Sequence, residues 1–240
     1  MSKKKIFTLS LLLFLGGSYA ANAMHIVEGY LSPLWCLVYF ILSAPFFILG
    51  LRDIKNKTSK NKDLKMLLAL VAAYAFVLSA MKLPSVTGSS SHPTGTGLGA
   101  ILFGPFVMSV IGAIVLLFQA IFLAHGGLTT LGANVFSMGI VGPIISYVIY
   151  KALKNKNKKL AVFLAAALGD LITYIITSLQ LGLAFPSSSG GVFMSFMKFI
   201  GIFAITQIPL AVVEGILTVG IFEFIEKHSR EELKALGEVK

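Results

Sequence analysis

Charge is scarce in this sequence. Aspartate, glutamate, lysine and arginine make up only 12% of its 240 residues, about half the share found in a soluble globular domain. A soluble chain of this size needs a far more polar surface around its core. Cysteine is scarcer still. The one present, Cys36, sits inside an apolar run, which excludes a disulfide framework and a cysteine-based zinc cluster. No Gly-Lys-Ser/Thr follows any glycine cluster, so the chain has no Walker loop and hydrolyses no ATP through one. HExxH and GxSxG are missing too, which removes two common hydrolase designs. The short alternating strands of a membrane β-barrel are also absent.

What fills the space is hydrocarbon. Apolar residues account for 56% of the chain. They fall into uncharged runs of roughly 20 residues, the length a helix rising 1.5 Å per residue needs to cross a bilayer. The fold class is therefore an all-α polytopic membrane protein. The formal charge of +10 raises the question of nucleic acid, and the distribution of the charge answers it. Six basic residues lie from Arg52 to Lys65, five from Lys151 to Lys159, four from Lys227 onward, and three open the chain. Basic clusters in short segments beside apolar spans are the positive-inside signature of a protein in membrane lipid, and nucleic acid is not a partner.

Residues 1–23 have the design of a cleaved signal peptide. Lys3, Lys4 and Lys5 precede an apolar stretch from Ile6 to Leu15, and Ala21-Asn22-Ala23 gives a small-x-small cleavage site. Cleavage leaves residues 24–240 as a single transmembrane domain that starts Met24-His25 on the outer side. Spans are expected at Pro33–Leu51, Met66–Leu83, Val107–Ala124, Asn134–Tyr150 and Leu160–Leu181. A final helix follows the outer loop Phe185–Gly191 and ends near Glu226 in a charged cytoplasmic tail. Both basic loops face inward only if one more pass precedes Val107. Gly104-Pro105 is the natural break, since proline removes a donor and disrupts the preceding turn. The extra pass, Leu98–Phe103, is too short to cross alone and needs shielding by neighbouring protein. The total is about seven helices, one of them short, in an inner membrane.

This topology gathers His25, His92 and His125 on the outer aqueous face and leaves His228 inside. A freed Met24 amine, the His25 amide nitrogen and the His25 Nδ1 close a five- and a six-membered chelate ring around one metal ion. His92, in the hydroxyl-rich stretch Ser89-Ser90-Ser91-His92-Pro93-Thr94-Gly95-Thr96-Gly97, is the best fourth ligand. Four nitrogens in a plane suit nickel, copper or low-spin cobalt. His125 fits a ligand, a donor to a ligand or a plain loop residue, and the last two fit better. Glu28 stands close enough to tie down the amino-terminal loop. Asp170 and Glu214 lie within apolar spans, where a bare charge costs about 2.5 to 3.5 kcal/mol or more. They fit a proton relay or a hydrogen-bonded structural role.

Four separated motifs carry a family resemblance: Met24-His25-Ile26-Val27-Glu28-Gly29-Tyr30-Leu31, SSSHPTGTGLGAILFGP from Ser89, FQAIFLAHGGLTTLGAN from Phe118 and PLAVVEGILT from Pro209. In this order they resemble the CbiM/NikM family, the substrate-capture (S) components of energy-coupling factor transporters for cobalt or nickel. The resemblance implies a metal site made of Met24, His25 and His92, with Asn134 and Ser91 in support. It implies an S-component-like bundle without enzymatic activity, transporting cobalt(II) for cobalamin biosynthesis or, alternatively, nickel(II). It also implies three protein partners: a CbiN-like accessory membrane protein, a CbiQ-like transmembrane coupling component and a CbiO-like ATPase. An accessory protein fused after Glu226 is not expected. An intramembrane enzyme would need a nucleophile beside a base, and a stand-alone channel would need paired charges or broken helices at the midplane. Neither pattern stands out.

Overall fold

The computed structural model describes residues 25–84 and 90–238. The expected signal peptide and Met24 lie outside the described residues. Each expected span is a helix. These are α1 (Pro33–Lys60), α2 (Leu64–Ala80), α3 (Thr96–Phe103), α4 (Pro105–Phe122), α5 (Leu131–Leu153), α6 (Lys158–Ala184) and α7 (Gly191–His228), followed by a six-residue helix α8 (Arg230–Ala235). Five of them, α1, α4, α5, α6 and α7, are long and apolar enough to cross a membrane, and α2 is apolar but shorter. Two short strands, β1 (Leu83–Pro84) and β2 (Ser90–Ser91), pair antiparallel ahead of α3.

The sequence explains where these elements stop. Proline stands in the first turn of α1, α4 and the last part of α5, where its missing N–H costs nothing. Gly104, at φ 88°, separates α3 from α4. All eight residues of α3 are buried, which supplies the shielding a half-length helix needs in a membrane. α1 runs nine residues past its expected end, to Lys60. Its basic segment continues the helix beyond the apolar run with the charged heads turned to water, which hydropathy alone does not mark.

Packing of the bundle depends on small residues. A Cβ added to Gly112 of α4 would stand 2.9 Å from the Gly139 Cα of α5, so these helices meet backbone to backbone. Large side chains such as Leu34, Ile41, Met66 and Phe193 stay exposed and suit contact with lipid.

The carboxyl-terminal tail is folded rather than loose. Leu233 is fully buried, and Glu238 accepts from Lys151 Nζ at 2.7 Å and from Lys154 Nζ at 2.9 Å. Lys158 Nζ donates to Glu226 at 2.7 Å. The tail and the basic loop between α5 and α6 therefore occupy the same end of the bundle, as the positive-inside pattern requires. Along α6, Tyr174 stands sixteen residues from Lys158, about 24 Å at a helical rise of 1.5 Å per residue. Its hydroxyl marks the level of the histidines.

Candidate metal centre

The expectation that the histidines lie on an aqueous loop surface is corrected by their burial. His25 retains 5% exposure and His92 and His125 none. The Ser90–Thr96 segment is buried throughout, because it turns inward between the helices instead of crossing the surface. The three imidazoles nonetheless converge as expected. Their candidate ligand atoms all lie within 4.8 Å of one another. His228 is exposed at the carboxyl end of α7 and hydrogen-bonds the Phe224 carbonyl.

Each ring reaches this point by a different route. His25 is held through the residue after it. Asn134 receives the Ile26 N–H at 2.9 Å and donates its own amide to the Ile26 carbonyl at 3.0 Å, while the Thr130 hydroxyl donates to the same carbonyl at 2.6 Å. Asn134 thus grips the amino-terminal backbone directly. It immediately precedes a π-helical stretch, Val135–Val141, a distortion common at functional sites. The two glycines after His125 make room for this loop. A Cβ at Gly127 would collide with the Glu28 backbone at 2.5 Å, and one at Gly126 would stand 3.3 Å from the His25 Cβ. Glu28 accepts the Thr129 N–H at 3.1 Å, and Thr129's donors hold its carboxyl below the usual range. It ties the loop down but is itself exposed.

His92 is fixed from below. Its carbonyl accepts the Tyr174 hydroxyl at 2.8 Å and the Gln207 amide at 3.3 Å. Beyond it, Glu214 of α7 accepts the Thr94 N–H at 2.6 Å and the Gly95 N–H at 3.0 Å. Gly95 has φ 67°, and a Cβ there would stand 2.8 Å from Ala75 Cα, so glycine is required twice over. Asp170 receives the Gln207 amide in the same network. The two intramembrane carboxylates therefore support the His92 turn from α6 and α7. Ser91 points elsewhere, pairing its hydroxyl with Thr206 at 2.7 Å.

The hydrogen bonds also select ring nitrogens. Gln119 donates its amide to the Ser79 hydroxyl at 2.6 Å, and that hydroxyl donates to the Ala75 carbonyl. The Gln119 Oε1 is left to accept from His25 Nε2–H at 3.1 Å, so the His25 Nδ1 carries the lone pair. His92 donates Nδ1–H to the Pro93 carbonyl at 2.9 Å, and its Nε2 has no partner. Neither nitrogen of His125 has one. A buried polar atom left unpaired costs about 1–3 kcal/mol, so unpaired nitrogens gathered within a few ångströms of one another indicate a missing ligand.

Burial also disfavours the charged imidazolium. It lowers His92 from its ordinary 6.5 to about 4. Burial followed by the His92 charge lowers His25, and burial followed by the charges of His25 and His92 lowers His125. All three rings are neutral near pH 7, the form a metal binds. Nitrogen donors of this kind suit cobalt, nickel, copper or zinc rather than magnesium or calcium. Gln119, Tyr174 and Gln207 are not assigned a role by the sequence. Each is a polar side chain inside an apolar span, and Gln119 also falls within the motif that starts at Phe118.

Comparison with known proteins gives the family. The family described as CbiM, cobalt uptake substrate-specific transmembrane region, matches residues 25–232. The chain is 62% identical over 240 residues to the cobalt transport protein CbiM of Clostridium tetani, covering all of both chains. It is 60% identical to the cobalt transport protein CbiM of Thermosipho melanesiensis over 93% of this chain and 94% of that one. Its fold superposes on the crystal structure of a truncated transition metal transporter with a TM-score of 0.72 and 25% identity, covering 85% of this chain and 99% of the other. The chain belongs to the CbiM family of cobalt-uptake, substrate-specific transmembrane proteins.

Proposed function

We propose that this chain is the S component of an energy-coupling factor importer, capturing cobalt(II) at the outer face of the cell membrane for cobalamin biosynthesis. Its metal ligands are the Met24 amine exposed by signal cleavage, the amide nitrogen and Nδ1 of His25, and the Nε2 of His92. The observation that carries this reading is the convergence of three buried, neutral histidines, with unpaired nitrogens on His92 and His125. The His25–Gln119 bond supports the chelate, because it leaves free the one ring nitrogen that closes a six-membered ring with the residue's own amide. Nickel(II) satisfies the same four nitrogens and is the competing cargo.

The chain lacks a Walker loop, so uphill transport falls to partners: a CbiO-like ATPase, a CbiQ-like coupling protein and a CbiN-like accessory membrane protein. The mature amino terminus faces outward and the tail with its basic loop faces the cytoplasm. Metal binding tightens the amino-terminal loop against the His92 turn, and movement against the coupling partner delivers the ion.

The test is metal content of purified protein whose amino terminus has been sequenced, beside His25→Ala and His92→Ala. Near-stoichiometric cobalt, lost from both variants while they remain folded, is the expected result. A protein that starts at Met24 and takes up neither cobalt nor nickel would overturn the reading.

A further inference from the structure

Two acids lie inside the bundle with no basic residue to balance them. Asp170 of α6 is 1% exposed and Glu214 of α7 not at all. Neither belongs to any ion pair among the described residues. Their carboxyl groups lie within hydrogen-bond reach of each other. Two carboxylates cannot both stay ionised at that range in a dry interior, so the pair holds a small cation.

The donors and acceptors around the pair identify that cation. Glu214 is met by donors. Its Oε2 accepts the Thr94 N–H at 2.6 Å, its Oε1 accepts the Gly95 N–H at 3.0 Å, and the Thr94 hydroxyl adjoins both oxygens. These are the surroundings of an ionised carboxylate, with room for one more bond. Asp170 is placed differently. Its Oδ2 accepts the Gln207 amide, and its Oδ1 has no partner. The Gln207 amide cannot be turned the other way round, because its Nε2 also donates to the His92 carbonyl at 3.3 Å. The other donor beside Asp170, the Thr94 N–H, is taken by Glu214. A hydroxyl at Asp170 Oδ1 would satisfy this oxygen and the last acceptor position of Glu214 together. A sodium ion would not. Hard cations gather about six oxygens, and in this network only Asp170 Oδ1 and Gln207 Oε1 are unpaired.

We propose that Asp170 and Glu214 form a buried one-proton site, in which Asp170 is a neutral carboxylic acid donating to an ionised Glu214. The proton leaves the pair one negative charge instead of two and fixes the carboxylate that grips the Thr94–Gly95 backbone. Asp170 is thus a positioning residue, acting through Glu214 on the turn that follows His92. The assignment rests on the hydrogen bonds of the acids themselves and holds whichever metal the protein carries.

Infrared spectroscopy of the purified protein at neutral pH, in a detergent without ester groups, tests this without a variant. A neutral carboxylic acid has a carbonyl stretch well separated from those of ionised carboxylates and amides. One such band is expected in the wild-type protein. It should move to lower frequency after growth on aspartate labelled with carbon-13 in its side-chain carboxyl, and not after the same labelling of glutamate. Two substitutions then separate donor from acceptor. Asp170→Asn keeps a donor facing Glu214, so it is expected to lose the band yet melt within about 2 °C of wild type. Glu214→Gln turns an amide donor toward backbone N–H groups and is expected to melt roughly 5 °C lower. Asp170→Leu supplies no donor and is expected to weaken cobalt binding about tenfold, a loss that Asp170→Asn largely recovers. The assignment would be overturned by the absence of a neutral-carboxyl band in folded wild-type protein, by a band that follows the glutamate label, or by Asp170→Asn melting as low as Glu214→Gln. A melting temperature raised by sodium chloride and not by potassium chloride would overturn it in favour of a bound sodium ion.

Discussion

Two polar clusters are buried side by side in this bundle, and they differ in what their atoms lack. The Glu214 carboxylate accepts two backbone N–H groups of the His92 turn and adjoins the Thr94 hydroxyl. Its acceptors are used up inside the protein. The histidine cluster is the reverse. His92 Nε2 and both nitrogens of His125 find no partner, although a hydrogen-bonded shell of Gln119, Asn134 and Tyr174 surrounds them. A satisfied buried group indicates scaffold, and an unsatisfied set aimed at one point indicates cargo. By sequence the intramembrane acids are the more obvious functional residues, yet the bonds of Glu214 assign it to holding the His92 turn in place.

The contrast can be broken most forcefully at Glu214. Glu214→Ala strands two buried backbone donors, and a stability loss of about 3 kcal/mol is expected, measured by thermal unfolding in detergent with and without cobalt. His92→Ala is expected to do the opposite, abolishing cobalt binding with little loss of apo stability. If Glu214→Ala left apo stability untouched, the scaffold assignment would fail.

Acid sharpens the same comparison. The folded-state value of His92 lies near 4 against an ordinary 6.5, because burial disfavours its charged form. Burial of the neutral ring therefore carries no protonation penalty above pH 6.5, and the fold is destabilised progressively, by up to about 3 kcal/mol, as pH falls toward 4. His25 and His125 act in the same direction. Apo protein should melt progressively lower between pH 6.5 and 4. A melting curve for His92→Ala as steep in pH as wild type would contradict this.

A smaller effect is expected at Gln119, which bonds the His25 ring at Nε2 and leaves Nδ1 free. Gln119→Leu should weaken cobalt binding about tenfold by releasing the ring and its tautomer, as read by isothermal titration. Unchanged affinity would mean the Gln119 bond does not prepare His25.

Much of this is legible in the sequence, for reasons that can be named. Hydrophobic runs and basic clusters place every span. The demand that the basic segments Arg52 to Lys65 and Lys151 to Lys159 share a side forces the short pass before Gly104-Pro105, which α3 supplies. His25 and His92 follow from chelate chemistry and from the family motifs. His125 stands in a motif but cannot be weighed there, because its burial depends on the Ala124 backbone and on α4 packing against the amino-terminal loop. Gln119 is hidden for a similar reason. Its partners, Ser79 and His25, lie 40 and 94 residues away, and no local pattern encodes such pairings. Burial of the Ser90–Thr96 segment is hidden because its hydroxyls and glycines read as a solvated loop. Backbone groups at its centre, the His92 carbonyl and the Thr94 and Gly95 N–H, are instead paired by side chains of α6 and α7.

The central claim is that a freed amino terminus is itself a ligand, and one measurement tests it most directly. Cobalt affinity is compared between protein beginning at Met24 and protein with a single extra residue before it. The extra residue moves the amine out of the five-membered ring while leaving every bond of the described fold in place. Loss of tight binding with unchanged apo melting temperature is the predicted result. Full affinity in the extended protein would contradict it and would leave the three histidines to hold the metal on their own.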